Sequence, residues 1–154
     1  MRIKTKNKKM PISIAISAFL FNCINGLLNG IYVGYFLESE IKINITFIIG
    51  VFLFIVGMFI NIQSDNKLIS LRKDCDGYKI PNGGMFRLIS CPNHFGEIIE
   101  WIGYSFIAFN FAALSFALWT FFNLVPRALN HHEWYNENFD NYPKKRKAVL
   151  PYIL

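Results

Sequence analysis

The stretch IIEWIGYSFIAFNFAALSFALWTFFNLV, residues 98–125, decides the fold, because its 28 residues hold a single charge, Glu100. As one helix it would measure roughly 42 Å at 1.5 Å per residue, against a hydrocarbon core of about 30 Å. One crossing would also place the basic residues at the two ends of the chain on opposite sides of a membrane. Dividing the block near Asn110 gives two shorter helices and lets every basic cluster face the cytoplasm, as the positive-inside tendency prefers.

Upstream lie two more apolar blocks. Pro11 to about Phe36 carries no charge, and Ile43 to Ile62 is a second clean span. The first is too long for a signal core and lacks a small-residue cleavage site, so it reads as a retained helix. Asn22, Asn25, Gly26 and Asn29 fall on one side of it, and either helix packing through small residues or the lining of a polar cavity would suit them. A loop with Glu38, Glu40 and Lys42 joins the two blocks, and the sequon Asn44-Ile45-Thr46 abuts the second. Between Gln63 and Met85 the chain is polar, with Pro81-Asn82-Gly83-Gly84 a strong turn signal. From Pro126 an amphipathic helix should continue to about Phe139, followed by a basic tail.

The expected fold is therefore all-α. It is a polytopic transmembrane helical bundle of about four membrane helices plus an amphipathic C-terminal helix. Residues 1–10 form a basic cytosolic leader, and residues 11–154 form one membrane-embedded domain with both termini cytosolic. A content of 53% hydrophobic residues with 17% aromatic agrees, because it is gathered into charge-free blocks. The net charge of +6 sits in clusters beside those blocks, at Arg2 to Lys9 and Lys144 to Lys147. No nucleic-acid recognition motif accompanies it, so membrane lipids rather than nucleic acid are the expected partner. Cys23, Cys75 and Cys91 form no CxxC and imply neither a disulfide framework nor a metal site.

No P-loop, GxGxxG, GxSxG or HExxH occurs, which removes the common nucleotide, hydrolase and zincin motifs. Polar residues placed at membrane boundaries remain. Asn61 and Asp65 are spaced i, i+4 at the end of the second block, with Arg72 beyond. Such a set could hold an amide, a ribose hydroxyl and a phosphate, or it could be a solvated helix end. In SCPNHFGEIIEW, residues 90–101, Asn93 can cap a helix in which Glu97 and Glu100 share a face beside Trp101. Two carboxylates opening an apolar block require a polar cavity or specific partners. His131 and His132 point about 100° apart on a helix and cannot chelate one metal together. Tyr135 lies one turn past His131. Arg146 suits anionic lipid and a cofactor phosphate equally.

INIQSDNKLISLRK, GYKIPNGGMFRLISCPNHFGEIIEWIGY, PRALNHHEWY and YPKKRKAVLPYIL together resemble, in order and spacing, the C-terminal domain of the 3-oxo-5α-steroid 4-dehydrogenases. The resemblance runs from about Asn25 to Leu154, and parts of the ending are shared with polyprenol and trans-2-enoyl-CoA reductases. It implies a multi-pass enzyme of the endoplasmic reticulum membrane that uses NADPH and reduces the C4–C5 double bond of a 3-oxo-Δ4 steroid or another lipid enone. It further implies an NADPH site lined by Asn61, Asp65, Arg72, Tyr78, Asn93, Glu97 and Tyr135, with Trp101 and His131 near the nicotinamide or substrate. No metal is implied. The family's enone-activating Glu and Tyr lie in upstream helices and transfer to no residue here, so a truncated chain, or one that needs a missing N-terminal half or partner, is expected. Two alternatives stand beside this reading: an inactive membrane partner or lipid-binding fragment, and a reductase of an enoyl-CoA or polyprenol.

Overall fold

A computed structural model of the chain describes residues 11–36, 43–73 and 78–154. The leader 1–10, the loop with Glu38, Glu40 and Lys42, and Cys75 lie outside the described residues. Helix α1 (Ile12–Ile31) runs on into a π-helical turn, Tyr32–Phe36. It is followed by α2 (Ile45–Lys73), a short 3-10 turn (Gly84–Arg87), α3 (Pro92–Ala108) and α4 (Phe111–Asn138). The described residues contain no strand, only one isolated bridge between Ile89 and Lys147. Among the described residues three helices, α1, α2 and α4, are long and apolar enough to cross a membrane. The fold is an all-helical, multi-pass membrane architecture.

The long apolar block divides where the sequence predicts. Phe109 takes a left-handed conformation (φ 44°, ψ 48°) and ends α3. Asn110 then caps α4, its Oδ1 accepting from the N–H of Ala113 at 2.8 Å. At the start of α2, Asn44 of the sequon caps in the same way, accepting from the N–H of Phe47 at 2.9 Å.

Three boundaries differ from expectation. Helix α2 does not stop at Ile62 but runs to Lys73, since Gln63 to Lys73 contains no glycine or proline and its Leu68, Ile69 and Leu71 are partly buried. The amphipathic C-terminal segment is the second half of α4, with Pro126 inside that helix. Neighbouring helices and local adjustments can satisfy the backbone groups that a proline frees in a membrane helix. Asn93 does not cap α3. The helix begins one residue after Cys91, with Pro92 in its first turn and no side-chain cap bond; proline's fixed φ makes it a natural first helical residue.

Helices α2 and α3 lie antiparallel, with glycine against glycine. A Cβ on Gly50 would stand 2.8 Å from the Gly103 carbonyl oxygen, and one on Gly103 2.7 Å from that of Gly50. Seven residues along, a Cβ on Gly57 would stand 2.6 Å from the Gly96 oxygen, and one on Gly96 2.6 Å from the Asn61 nitrogen. Only residues without side chains permit backbones this close, the usual way in which membrane helices gain packing. Helix α1 leans on α4 through Phe21, whose ring lies 6.0 Å from Phe116 and 5.2 Å from Trp119. Its asparagines bond mainly within their own helix, Asn22 to the Ala18 carbonyl and Asn29 to Asn25.

The C-terminal tail returns beside the start of α3. The N–H groups of Ser90 and Cys91 donate to the carbonyls of Lys147 and Ala148 at 2.8 and 3.0 Å, and Lys147 N–H donates to Leu88 at 2.9 Å. Val149 then joins a core of Cys91, Ile98, Leu124 and Ala128, with Leu150 packed against it. Arg146 is 4% exposed and donates to the Pro81 carbonyl and to Asn82 Oδ1 at 3.1 and 3.0 Å. This fastens the Pro81–Gly84 turn, whose two glycines adopt positive φ of 88° and 55°.

Candidate functional site

The close backbone contact at Gly57 and Gly96 brings the polar end of α2 against the polar start of α3. Asn61 abuts Gly96, and its side chain reaches Glu100 as a hydrogen-bond partner. Asp65, one turn further, and Glu100 both act electrostatically on half-buried Glu97. Arg127 of α4 acts on the same carboxylate with opposite sign. Glu97 thus answers to two acids and one guanidinium, from α2, α3 and α4. Arg72 falls on the same side of α2 as Asn61 and Asp65, eleven and seven residues on.

A second group forms around α4. The Arg72 guanidinium lies 5.2 Å from the centre of the Tyr78 ring, and Tyr78 packs on Trp134 at 4.9 Å. Trp134 also meets Tyr135 at 5.4 Å. Tyr135 is buried and stacks flat on Tyr142, with centroids 5.2 Å apart and planes inclined by 9°. Arg127, Asn130, His131 and Trp134 line a cavity of about 320 Å³. That lies at the small end of ligand-site volumes. His131 also faces His94 edge-on at 6.1 Å.

His94 sits in the first turn of α3, ahead of the apolar run that begins at Ile98. Burial, His131 and Arg127 together lower its pKa to about 4, so its ring is neutral near pH 7. Its Nδ1 is enclosed and has no hydrogen-bond partner among the described residues. Burial pushes the Cys91 thiol up to about 12, which keeps it protonated and inert. Among the described residues no cluster of His, Cys, Asp and Glu could hold a metal ion.

The residues singled out from sequence fall into these groups. Asn61, Asp65 and Glu97 come together, and Asn93 stands on the same first turn of α3 as His94. Arg72, Tyr78 and Tyr135 come together around Trp134. His131 lies on the cavity wall, between the two groups. Trp101 stands apart, one turn deeper than Glu97, against Phe116 at 4.2 Å and Tyr104 at 5.7 Å. His132 diverges from His131, as adjacent helical residues must, and reaches Ser90.

Sequence reasoning passed over Arg127, Asn130 and Trp134. The signal was present, since Arg127, His131 and Trp134 repeat at i, i+4 and i+7 on one helical face. It also passed over His94 and the part that Ser90 plays. Ser90 Oγ lies 2.6 Å from both His132 Nδ1 and the Tyr142 hydroxyl and donates to the Lys147 carbonyl at 3.1 Å. These partners are 42 to 57 residues away in sequence, and no local pattern announces them.

Comparison with known proteins gives one consistent result. A family model described as 3-oxo-5-alpha-steroid 4-dehydrogenase matches residues 8–154. A steroid 5-alpha-reductase of Gossypium hirsutum is 44% identical over 157 residues, covering 99% of this chain and 61% of that protein. A 3-oxo-5-alpha-steroid 4-dehydrogenase 2 of Sus scrofa is 45% identical, covering 97% and 60%. A 3-oxo-5-alpha-steroid 4-dehydrogenase 1 of Homo sapiens is 41% identical, covering 95% and 58%. The chain thus spans about three fifths of the length of the curated relatives it matches.

Proposed function

Because this chain belongs to the 3-oxo-5-alpha-steroid 4-dehydrogenase family, we propose that it forms the cofactor-holding part of an NADPH-dependent steroid 5α-reductase of the endoplasmic reticulum membrane. The observation that carries this is the meeting of Asn61, Asp65, Glu97 and Glu100 with Arg127 beside the His131 cavity. NADPH carries phosphates, ribose hydroxyls and a carboxamide along its length. The side chains here offer matching groups, Arg127, Asn130 and His131 close to carboxylates and amides, and so they fit.

In this reading Arg127, His131 and Arg72 attract phosphate, and Asp65 accepts from a ribose hydroxyl. Asn61 and Asn93 present amides, while Glu97 accepts a hydrogen bond from a carboxamide. Tyr78 and Tyr135, fixed by Trp134, shape the wall beside the phosphates. Trp101 and its aromatic neighbours exclude water on the membrane side, which a hydride enzyme requires. When bound, the reduced nicotinamide supplies hydride to the β-carbon of the enone, and a proton at the α-carbon completes the saturated ketone.

The test is expression in microsomes with NADPH and a 3-oxo-Δ4 steroid, followed by product analysis, together with NADPH binding measured by fluorescence on the purified chain. Binding with 5α-product supports the whole reading. Binding without product removes catalysis by this chain and keeps the cofactor site. No binding overturns both.

A further inference from the structure

We infer that the C-terminal tail is a lipid-docking device, with exposed lysines for anionic phospholipid headgroups and an apolar tip that enters the acyl region of the same leaflet. This inference does not depend on the reductase reading.

The tail divides by direction. Of the run from Lys144 to Lys147, Arg146 turns inward and is buried against Pro81, Asn82 and Tyr142. Lys144, Lys145 and Lys147 remain exposed. Bonds from Ser90 and Cys91 to the tail fix these lysines at the level where α3 begins. The ends of α2, α3 and α4 that carry polar residues all gather at this level, which places it at a membrane surface. Between residues 139 and 154 the charges are four basic against one acid, Asp140. The outward charge therefore complements an anionic surface.

Beyond Lys147 the chain changes character to AVLPYIL, residues 148–154. Val149 and Leu150 do not stay at the surface. Val149 belongs to the core of Cys91, Ile98, Leu124 and Ala128, and Leu150 packs against that core, where α3 and α4 turn apolar. Ala148 is level with Cys91, and the two residues beyond it can carry the tail at most about 7 Å further, to the headgroup–acyl boundary. There the N–H groups of Val149 and Leu150 turn back to the Leu154 carbonyl at 2.9 and 2.7 Å. Tyr152 and Ile153 project outward from that turn, 80% and 76% exposed. Apolar side chains exposed at that depth meet acyl chains, while the lysines above them stay at headgroup level. Cations near an anionic leaflet and an apolar group inserted below them are the two elements of interfacial anchoring.

The experiment reconstitutes the full chain in phosphatidylcholine nanodiscs carrying trace amounts of a phosphatidylserine or a phosphatidylcholine with a photoreactive acyl chain. Peptide mapping then locates the label. The expected result is labelling within residues 148–154, several-fold stronger from the phosphatidylserine probe. Replacing Lys144, Lys145 and Lys147 by Gln should bring the two probes to equal labelling at low salt. Excess inorganic phosphate or NADPH should leave the labelling in place, because the occupant is a lipid. Equal labelling from both probes, no label in the tip, an unchanged Gln variant, or displacement by free phosphate would each overturn the inference. Labelling of α1 serves as the control that reconstitution succeeded.

Discussion

Ser90 joins α4 and the tail to the start of α3 through one hydroxyl. The Lys147 carbonyl can only accept, so the Ser90 O–H is donated there. Its two lone pairs then accept from the Tyr142 hydroxyl and from His132 Nδ1. That accounting places the proton of a neutral His132 on Nδ1, and a second proton on Nε2 leaves all three bonds intact. Ser90→Ala takes this partner from the Tyr142 hydroxyl and His132 Nδ1, while the Lys147 carbonyl keeps the backbone N–H of residue 90, and should lower stability by about 2 kcal/mol. Thermal unfolding in detergent measures this, and a midpoint equal to wild type would contradict the account. Burial lowers the pKa of His132 and, further, that of His94. Its pKa falls from 6.5 when unfolded to about 4 when folded, so between these values the unfolded chain binds the extra proton. The stability it confers is complete above about pH 6.5 and is lost as pH falls toward 4, by up to roughly 3 kcal/mol. His94→Phe should therefore flatten the acid side of a plot of unfolding midpoint against pH. A variant as acid-sensitive as wild type would show that the other histidines with lowered pKa, His131 and His132, carry that dependence instead.

At the scale of elements, the α2–α3 pair both builds the membrane core and positions the polar residues of the site. Gly57→Ala places a methyl group against the Gly96 carbonyl and should cost about 1–3 kcal/mol. It should also weaken NADPH binding, because Asn61 and Asp65 shift relative to Glu97. Gly50→Ala meets an equally tight contact at Gly103, away from the polar end, and should cost similar stability with little loss of affinity. Fluorescence titration of the two variants checks this, and equal affinity losses would separate the packing from the site. The division at Asn110 was legible because length against bilayer thickness and an N-cap residue agree on it. The extension of α2 was not, because polarity alone made Gln63 to Lys73 read as a loop although nothing in it breaks a helix. The site was half legible. Polar residues out of place in lipid drew the eye to Asn61, Asp65 and Glu97, whereas Arg127 and Trp134 lie in a stretch already polar, where one more charge carries no contrast.

At the scale of the whole molecule, attachment is uneven. Helices α3 and α4 share a core that the tail seals and α2 is locked to α3 through its glycines, whereas the main aromatic contact of α1 is Phe21 with Phe116 and Trp119. Phe21→Ala removes both ring contacts, worth about 0.5–1.5 kcal/mol each beyond their buried area. Hydrogen exchange should then quicken in α1 while α3 stays protected, and a uniform increase across all helices would show that α1 is integral to one cooperative unit. The even spacing of the glycines has a consequence for assembly. A seven-residue slip between α2 and α3 could still seat one glycine pair, Gly57 on Gly103 or Gly50 on Gly96, so glycine packing by itself admits mispaired neighbours. In one direction that slip would carry Asn61 and Asp65 about 10 Å deeper, into hydrocarbon. An ionised carboxylate there is strongly disfavoured. The polar residues of the proposed cofactor site would thus also disfavour that mispairing during insertion.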